Sequence, residues 1–565
     1  MKRIDFGFGL RAFVFGASVA LVTSCTFLTR DVEQCSSDAD CAGLTRNRCQ
    51  DNLCVSPASS SSGDGGDAQP PTEDAGPPCK VSNDCKNPDH ICSRQGECVP
   101  LAEGACAFRV PSQERPWREE KPGPVVALYA AGNQGDSFEK RMVEAAIKQI
   151  NPVIGAPMTV LLCAKGKNDS VGSAREVITY LDRRGVPLVY GQFESVELAK
   201  LDTKGIAVWS TLGNASNSEV SGAPPAAKVT IRYLVDELRR LAPAYQPAMD
   251  EAIRRVEKLS AQTIDTSNAK VFTVVSSNAE SAPLETAVLE AVTIKGVDPN
   301  PPQTLKALRV SAPDRFRAYH PDAEFDVAVP APLTTIINEI KSYKPHVIIG
   351  IGGDEILTIL DAIEPPDPTA KPIWLLSSRT KFNSEGMFQI LNSTAQDLRH
   401  RLIGIDFPGN TAQVTFVDSI DGTSNTNALS YDHLFDATIA VALAYTRADT
   451  QRLANKVTTP LSGKEMNDAL AVLDPADPDA VTMTGGASAS IGATLPAIRM
   501  GKKVTYSGTT GTWKFFPTGA RDMTSSPLTY YCYPHEKTTT APNQLKLYQP
   551  ATELDGSVFS KCAAY

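Results

Sequence analysis

PVVALY, residues 124–129, is an unbroken apolar run; FEKRMVEAAIKQI follows at 138–150 and MTVLLC at 158–163. The first and third runs are short, rich in β-branched residues and without polar alternation, which predicts strands covered on both faces. The middle run carries its apolar residues at helical spacing. Val171 to Arg184 repeats the helical pattern and stops at Gly185, a residue suited to a helix C-cap, before VPLVY at 186–190 as a third strand. Strict alternation of strand and helix predicts parallel sheets with right-handed crossovers, in the doubly wound manner. The same alternation resumes with KVFTVV at 270–275, a helix over Leu284 to Ala291, VIIGI at 347–351, a helix over Ile356 to Ile363, and PIWLL at 372–376. This texture runs from Gly123 to Tyr565, about 440 residues, too long for one ordinary core. The fold class is therefore α/β, with two doubly wound parallel-sheet lobes.

The chain in front of the lobes is of another kind. Lys2 and Arg3 precede an apolar stretch from Phe6 to Thr23, the charge-then-apolar order of an export signal. Arg11 and several glycines interrupt it, and it falls short of the roughly 20 apolar residues of a spanning helix. It ends at Val22-Thr23-Ser24-Cys25, which resembles a bacterial lipobox. The resemblance implies a signal peptide over 1–24, cleavage before Cys25, acyl chains on its thiol, and a tether over 25–34. An ordinary signal peptide ending near a cysteine is the alternative. Thr26, rather than Asp, follows the cysteine; the enterobacterial sorting rule then points to the outer membrane, on its periplasmic or surface face.

Cys25 set aside, twelve of the 13 cysteines remain, an even number in a chain destined for an oxidising compartment. Cys35, Cys41, Cys49 and Cys54 form one group, Cys-x5-Cys-x7-Cys-x4-Cys, and Cys79, Cys85, Cys92 and Cys98 a similar second, Cys-x5-Cys-x6-Cys-x5-Cys. Units this short cannot bury a core, so two disulfides in each take its place. Zinc is the rival occupant of four cysteines, but the Cys-x2-Cys pairs of structural zinc sites are missing. The modules span 35–55 and 79–100; between them, residues 56–78 are a Ser, Gly, Pro and Asp tract that reads as a disordered linker. The N-terminal hundred residues thus read as two small knots on a flexible string, a stalk for the body at 120–565. Of the last four cysteines, Cys163 ends a strand and pairs by elimination with Cys106, and Cys532 with Cys562.

Three segments of the body carry a resemblance to the type I periplasmic binding proteins, in their branched-chain amino acid binding and receptor ligand-binding branch. They are AAIKQINPVIGAPMTVLLC at 145–163, REVITYLDRRGVPLVYGQFES at 175–195, and GKKVTYSGTTGTWKFFPTGARDM at 501–523, which matches the family's late glycine and aromatic spacing. The resemblance implies two flavodoxin-like lobes joined by a hinge, with a ligand held between them at the C-terminal ends of their strands. It places ligand-binding residues at Ser195, at Leu212 and Gly213 as backbone donors, and at Asn214 or Ser216. Ser195 and Asn214 are equally readable as loop or helix-cap residues. In the second lobe the family's aromatic lid has no counterpart in Ser276 to Ser281. Its acidic partner for a ligand ammonium is replaced by Ser378 and Arg379, which would repel an ammonium. The expected ligand is therefore small and polar, anionic or neutral. Asp354 and Glu355, after the glycines at 350–353, supply opposite charge or simply begin a helix, where its dipole favours carboxylates.

Catalytic patterns are missing: the sequence has no phosphate-binding loop, no H-E-x-x-H, no G-x-S-x-G and no Cys-x-x-Cys. The six histidines show no metal-ligand spacing, so no enzyme, cofactor or metal is expected. A net charge of −9 argues against nucleic acid. Two functions fit: a membrane-anchored solute-binding lipoprotein serving transport or sensing, or a ligand-free envelope interaction protein that regulates a cell-wall or membrane partner.

Overall fold

The computed structural model describes residues 48–50, 53–55, 78–118, 122–130, 137–166, 170–211, 231–234, 238–276, 281–296, 301–319, 331–363, 371–378, 380, 396–406, 432–515, 528–535, 546–548 and 556–563. The signal segment, Cys25, Cys35, Cys41 and the 56–77 tract lie outside them. The chain divides into two compact units, Met1–Asp74 and Ala75–Tyr565.

In the first unit, β1 (Arg48–Gln50) and β2 (Leu53–Val55) form an antiparallel ribbon with Cys49 opposite Cys54. In the second, β3 (His90–Cys92) and β4 (Cys98–Pro100) repeat that ribbon with Cys92 opposite Cys98. Disulfides join Cys79 to Cys92 and Cys85 to Cys98. The sulfurs of Cys79, Cys85 and Cys98 lie within 4.8 Å of one another because these two bonds are stacked. They are oxidised, and so are not thiolate ligands.

The first lobe contains β5 (Phe108–Val110), β6 (Val125–Ala130), helix α1 (Phe138–Ile154), β7 (Thr159–Ala164), α2 (Ser170–Arg183), β8 (Leu188–Gly191), α3 (Ser195–Lys200), β9 (Ala207–Ser210) and β10 (Ile231–Tyr233). Its sheet runs β10-β9-β8-β6-β7-β5. Strands β6 to β10 are parallel in the flavodoxin-like 2-1-3-4-5 order, and β5 adds an antiparallel edge against β7. The sheet therefore begins before residue 120, where the apolar texture first becomes obvious.

The second lobe holds α4 (Tyr245–Ser260), β11 (Val271–Val275), α5 (Ser281–Ala291), the small pair β12 (Thr293–Ile294) and β13 (Gln303–Thr304), α6 (Leu305–Ser311), β14 (Phe316–Tyr319), α7 (Ala331–Tyr343), β15 (Val347–Ile351), α8 (Asp354–Ile363), β16 (Ile373–Leu376) and β17 (Leu402–Asp406). The parallel order β14-β11-β15-β16-β17 is again 2-1-3-4-5. The chain then returns to the first lobe with α9 (Asp432–Ala454), α10 (Gly463–Ala469), β18 (Val481–Thr484), α11 (Ser488–Arg499), β19 (Val504–Gly508) and β20 (Gly511–Trp513). It ends in the second with β21 (Thr529–Cys532) and β22 (Lys546–Tyr548). Strand β21 pairs antiparallel with β17, and the Cys532–Cys562 disulfide closes that end.

Each sheet is buried on both faces. Leu128, Val160 and Tyr190 pack with α1, α9 and α11, while Ala127, Leu161 and Val189 on the opposite face meet Ile178 and Leu181 of α2. Ile349 and Leu375 pack with α4 on one side of the second sheet, and Ile348 and Trp374 with α7 and α8 on the other. This double burial is why the strands read as continuous apolar runs. None of the four clusters draws described residues from both lobes.

The stalk expectation needs correction at the second module. Arg94 donates its backbone amide to Arg183 O at 3.0 Å and pairs with Asp182, and Glu97 pairs with Arg183 at 3.1 Å. Tyr180 Oη donates to Leu101 O at 2.6 Å, Arg184 Nε donates to Pro100 O at 2.8 Å, and the Cys106–Cys163 disulfide fixes the following segment to β7. Leu101 and Trp117 are buried in the first lobe's own core. The module is an integral part of that lobe, because its chain continues into the edge strand β5 and leaves it no room to swing.

Candidate functional site

In a 2-1-3-4-5 sheet the first and third strands carry connections that leave on opposite faces, so a crevice opens beyond their C-terminal ends. In the first lobe that crevice lies between β6 and β8. Gly191 has φ +138°, and a Cβ there would stand 2.1 Å from Tyr129 O, so only glycine lets the chain turn sharply over β6. The turn is held by Gln192 N donating to Tyr129 O at 2.7 Å and Ser210 Oγ to Phe193 O at 2.7 Å; the Tyr129 and Phe193 rings stack at 4.5 Å. It delivers Ser195 to the first position of α3.

Beneath that position sits a cluster absent from the sequence reading. Lys165 Nζ lies 2.8 Å from Glu194 and 3.4 Å from Glu197, and donates to Gln192 O at 3.1 Å. Glu197 is fully buried and also receives Tyr129 Oη at 3.2 Å. Burial pushes the Glu197 carboxyl above its ordinary range, with the Lys165 ammonium pulling the other way; burial likewise pushes the Tyr129 phenol up.

The fourth strand of each lobe ends in the same manner. Thr211 follows β9 with its side chain wholly buried, and its Oγ1 has no hydrogen-bond partner among the described residues. Ser378, two residues past β16, is 2 % exposed, and its Oγ is also without a partner there. Leu212, Gly213, Asn214 and Arg379 lie outside the described residues. Around Ser378 the loops are fastened to one another: Gly352 N donates to Ser377 Oγ at 3.3 Å and Thr380 Oγ1 to Gly352 O at 3.0 Å, while Tyr531 Oη reaches Ser377 O at 2.7 Å. Glu355 Oε1 accepts the Gly353 amide at 2.9 Å at the start of α8, so this carboxylate serves the helix start.

No family model matches the sequence, and no curated protein matches it. Solved structures do. A leucine-binding protein from Thermotoga maritima is 10% identical, with 75% of this chain and 97% of that one covered at a TM-score of 0.44. An extracellular ligand-binding receptor from Rhodopseudomonas palustris is 10% identical over 76% of this chain and 100% of its own, at 0.45. A substrate-binding protein of an ABC transporter from Desulfitobacterium hafniense, solved with Leu, is 11% identical over 75% and 100%, at 0.40. Its structural neighbours are solute-binding proteins. At these scores the likeness assigns no ligand and no binding residue, and the architecture stands on strand order alone.

Proposed function

We propose that this chain is a membrane-anchored solute-binding lipoprotein that captures a small polar ligand between its two lobes, for transport or sensing. The observation that carries the reading is the matched pair of buried hydroxyls, Thr211 and Ser378, each at the end of the fourth strand of its own 2-1-3-4-5 sheet. Burying a hydroxyl without a partner costs about 1–3 kcal/mol, and a bound polar molecule would recover that cost. Three passages of chain between the lobes permit closure about a hinge. The catalytic patterns missing from the sequence favour binding over reaction, and the lipobox favours attachment through Cys25. No helix among the described residues is long and apolar enough to cross a membrane.

A thermal-shift screen of the mature chain against amino acids, short peptides, sugars and organic anions tests the ligand reading. A ligand that raises the melting temperature of the native chain, and does so less for Thr211→Val and Ser378→Ala, supports it. Stabilisation by none of these classes overturns it in favour of an envelope interaction protein. Mass spectrometry of the membrane-extracted chain tests the anchor, which fails if Cys25 carries no acyl mass.

A further inference from the structure

Seven large apolar side chains are exposed among the described residues, and four of them, Val81, Leu453, Val457 and Met500, belong to one end of the first lobe. That end is the base, opposite the C-terminal ends of the strands. Arg447 of α9 donates to Ile498 O at 3.5 Å, and Arg499 donates to Ile154 O at 3.1 Å at the end of α1. The last turns of α1 and α11 therefore lie together, against the C-terminal half of α9. Ser82, next to Val81, shares a cavity of about 240 Å³ with Tyr445 and Leu461, which puts the second cysteine module on the same end. Leu453 and Met500 are each 72% exposed, far beyond what a core position would leave in water.

Cations lie among them: Lys456, Arg499 and Lys502 are exposed, the half-buried Asp449 lies near Arg452 and Arg499, and Asp474 is paired with Lys503 at 2.9 Å. The second module is fastened at this end, where the Cys79 amide bonds Gly96 O and Arg94 holds Arg183. Protruding leucine and methionine set among cations are the components of an interfacial lipid contact.

We infer that the base of the first lobe is a docking surface for anionic phospholipid, with Leu453, Val457 and Met500 entering the headgroup layer and Lys456, Arg499 and Lys502 meeting its charge. With its base on such a surface, the first lobe turns the strand ends that form the candidate binding site away from the bilayer.

The test uses the full mature chain with Cys25→Ser, so that any binding is independent of acylation and of the ligand site. It is mixed with vesicles of phosphatidylcholine alone or with added phosphatidylglycerol, and flotation is measured. Binding is expected only to the anionic vesicles, to weaken about fivefold for each of Lys456→Gln and Lys502→Gln, and to be lost in Leu453→Asp/Met500→Asp. All four positions are exposed, so unchanged melting temperatures serve as the folding control. Flotation that ignores lipid charge or these substitutions overturns the inference. So does a native dimer without vesicle binding that Leu453→Asp/Met500→Asp dissociates, which would make the patch a contact between copies.

Discussion

Asp436 Oδ1 receives the backbone amide of Thr509 at 2.9 Å, across 73 residues of sequence. The same oxygen accepts Tyr506 Oη at 2.8 Å, and Oδ2 accepts the amide and hydroxyl of Thr510 at 2.8 and 2.7 Å. Two consecutive amides and two hydroxyls thus converge on one fully buried carboxylate. Gly508 leaves it room, since a Cβ there would stand 2.4 Å from the carboxylate oxygens. The clamp joins the first turn of α9 to the turn between β19 and β20. Asp436→Asn turns a donor toward donors and leaves at least one buried partner unmet; we expect a loss of about 3 kcal/mol, read by urea unfolding. A loss below the scatter of ordinary surface substitutions, about 0.5 kcal/mol, would show that the turn stands without it.

Glu197 sets a pH dependence. Its folded pKa lies above the unfolded one, so the folded state holds the proton more firmly. The resulting stability is present below the ordinary carboxylate range and is lost as pH rises through the folded value. Glu197→Gln removes this loss, and Lys165 keeps Glu194 as its partner. The melting temperature of the variant relative to the native chain is expected to rise between acid and neutral pH; a constant difference would sink the assignment. Lys165→Met should do the opposite, costing about 3 kcal/mol at neutral pH by stranding a buried carboxylate.

Gly191→Ala meets a backbone oxygen rather than a side chain, at 2.1 Å, in a conformation that alanine rarely adopts. Relief requires β8 or the turn after it to move. A cost of about 2–4 kcal/mol is expected from chemical denaturation, together with weaker binding of any ligand found by the thermal screen. Native stability in this variant would mean that the turn is looser than its contacts imply.

Strands β6, β7, β8, β11, β15 and β16 were legible because burial on both faces leaves uninterrupted apolar runs such as Val125–Ala130 and Val347–Ile351. Strand β5 was not, since Phe108-Arg109-Val110 is a short edge with one polar residue and takes its register from β7. The late segment at 501–523 was legible as a pattern, but the work of its glycines was not: Gly508 makes room for Asp436, and Gly511, at φ +86°, shapes the adjoining turn. Asp436 itself carried no local signal, because its partners at 506, 509 and 510 lie 70 to 74 residues away. The Lys165, Glu194 and Glu197 cluster was hidden for the same reason, being assembled from two loops that only the sheet brings together.

The two cysteine modules should behave differently when the chain is shortened. The division between compact units falls at Asp74, and the second module is bound to α2 by a set of buried contacts centred on Arg184. That guanidinium is 3 % exposed, pairs with Glu103, and lies 3.5 Å from the centroid of the Tyr180 ring. Deleting residues 26–74 removes none of these contacts and is expected to leave the melting temperature unchanged. Deleting 26–104 uncovers the α2 surface that Leu101 buries and leaves Arg184 without Pro100 O and Glu103. Loss of such buried, charge-assisted contacts costs about 3–5 kcal/mol, enough to lower the melting temperature by several degrees or to abolish soluble expression. Arg184→Met in the otherwise intact chain separates the two causes: it removes the charge contacts while the module stays tied through Cys106 and Cys163. We expect it to lose stability, with the module's disulfides protected from mild reductant as in the native chain. If the 26–104 deletion is as stable as the 26–74 deletion, the second module is a spacer after all, and its contacts with α2 contribute nothing.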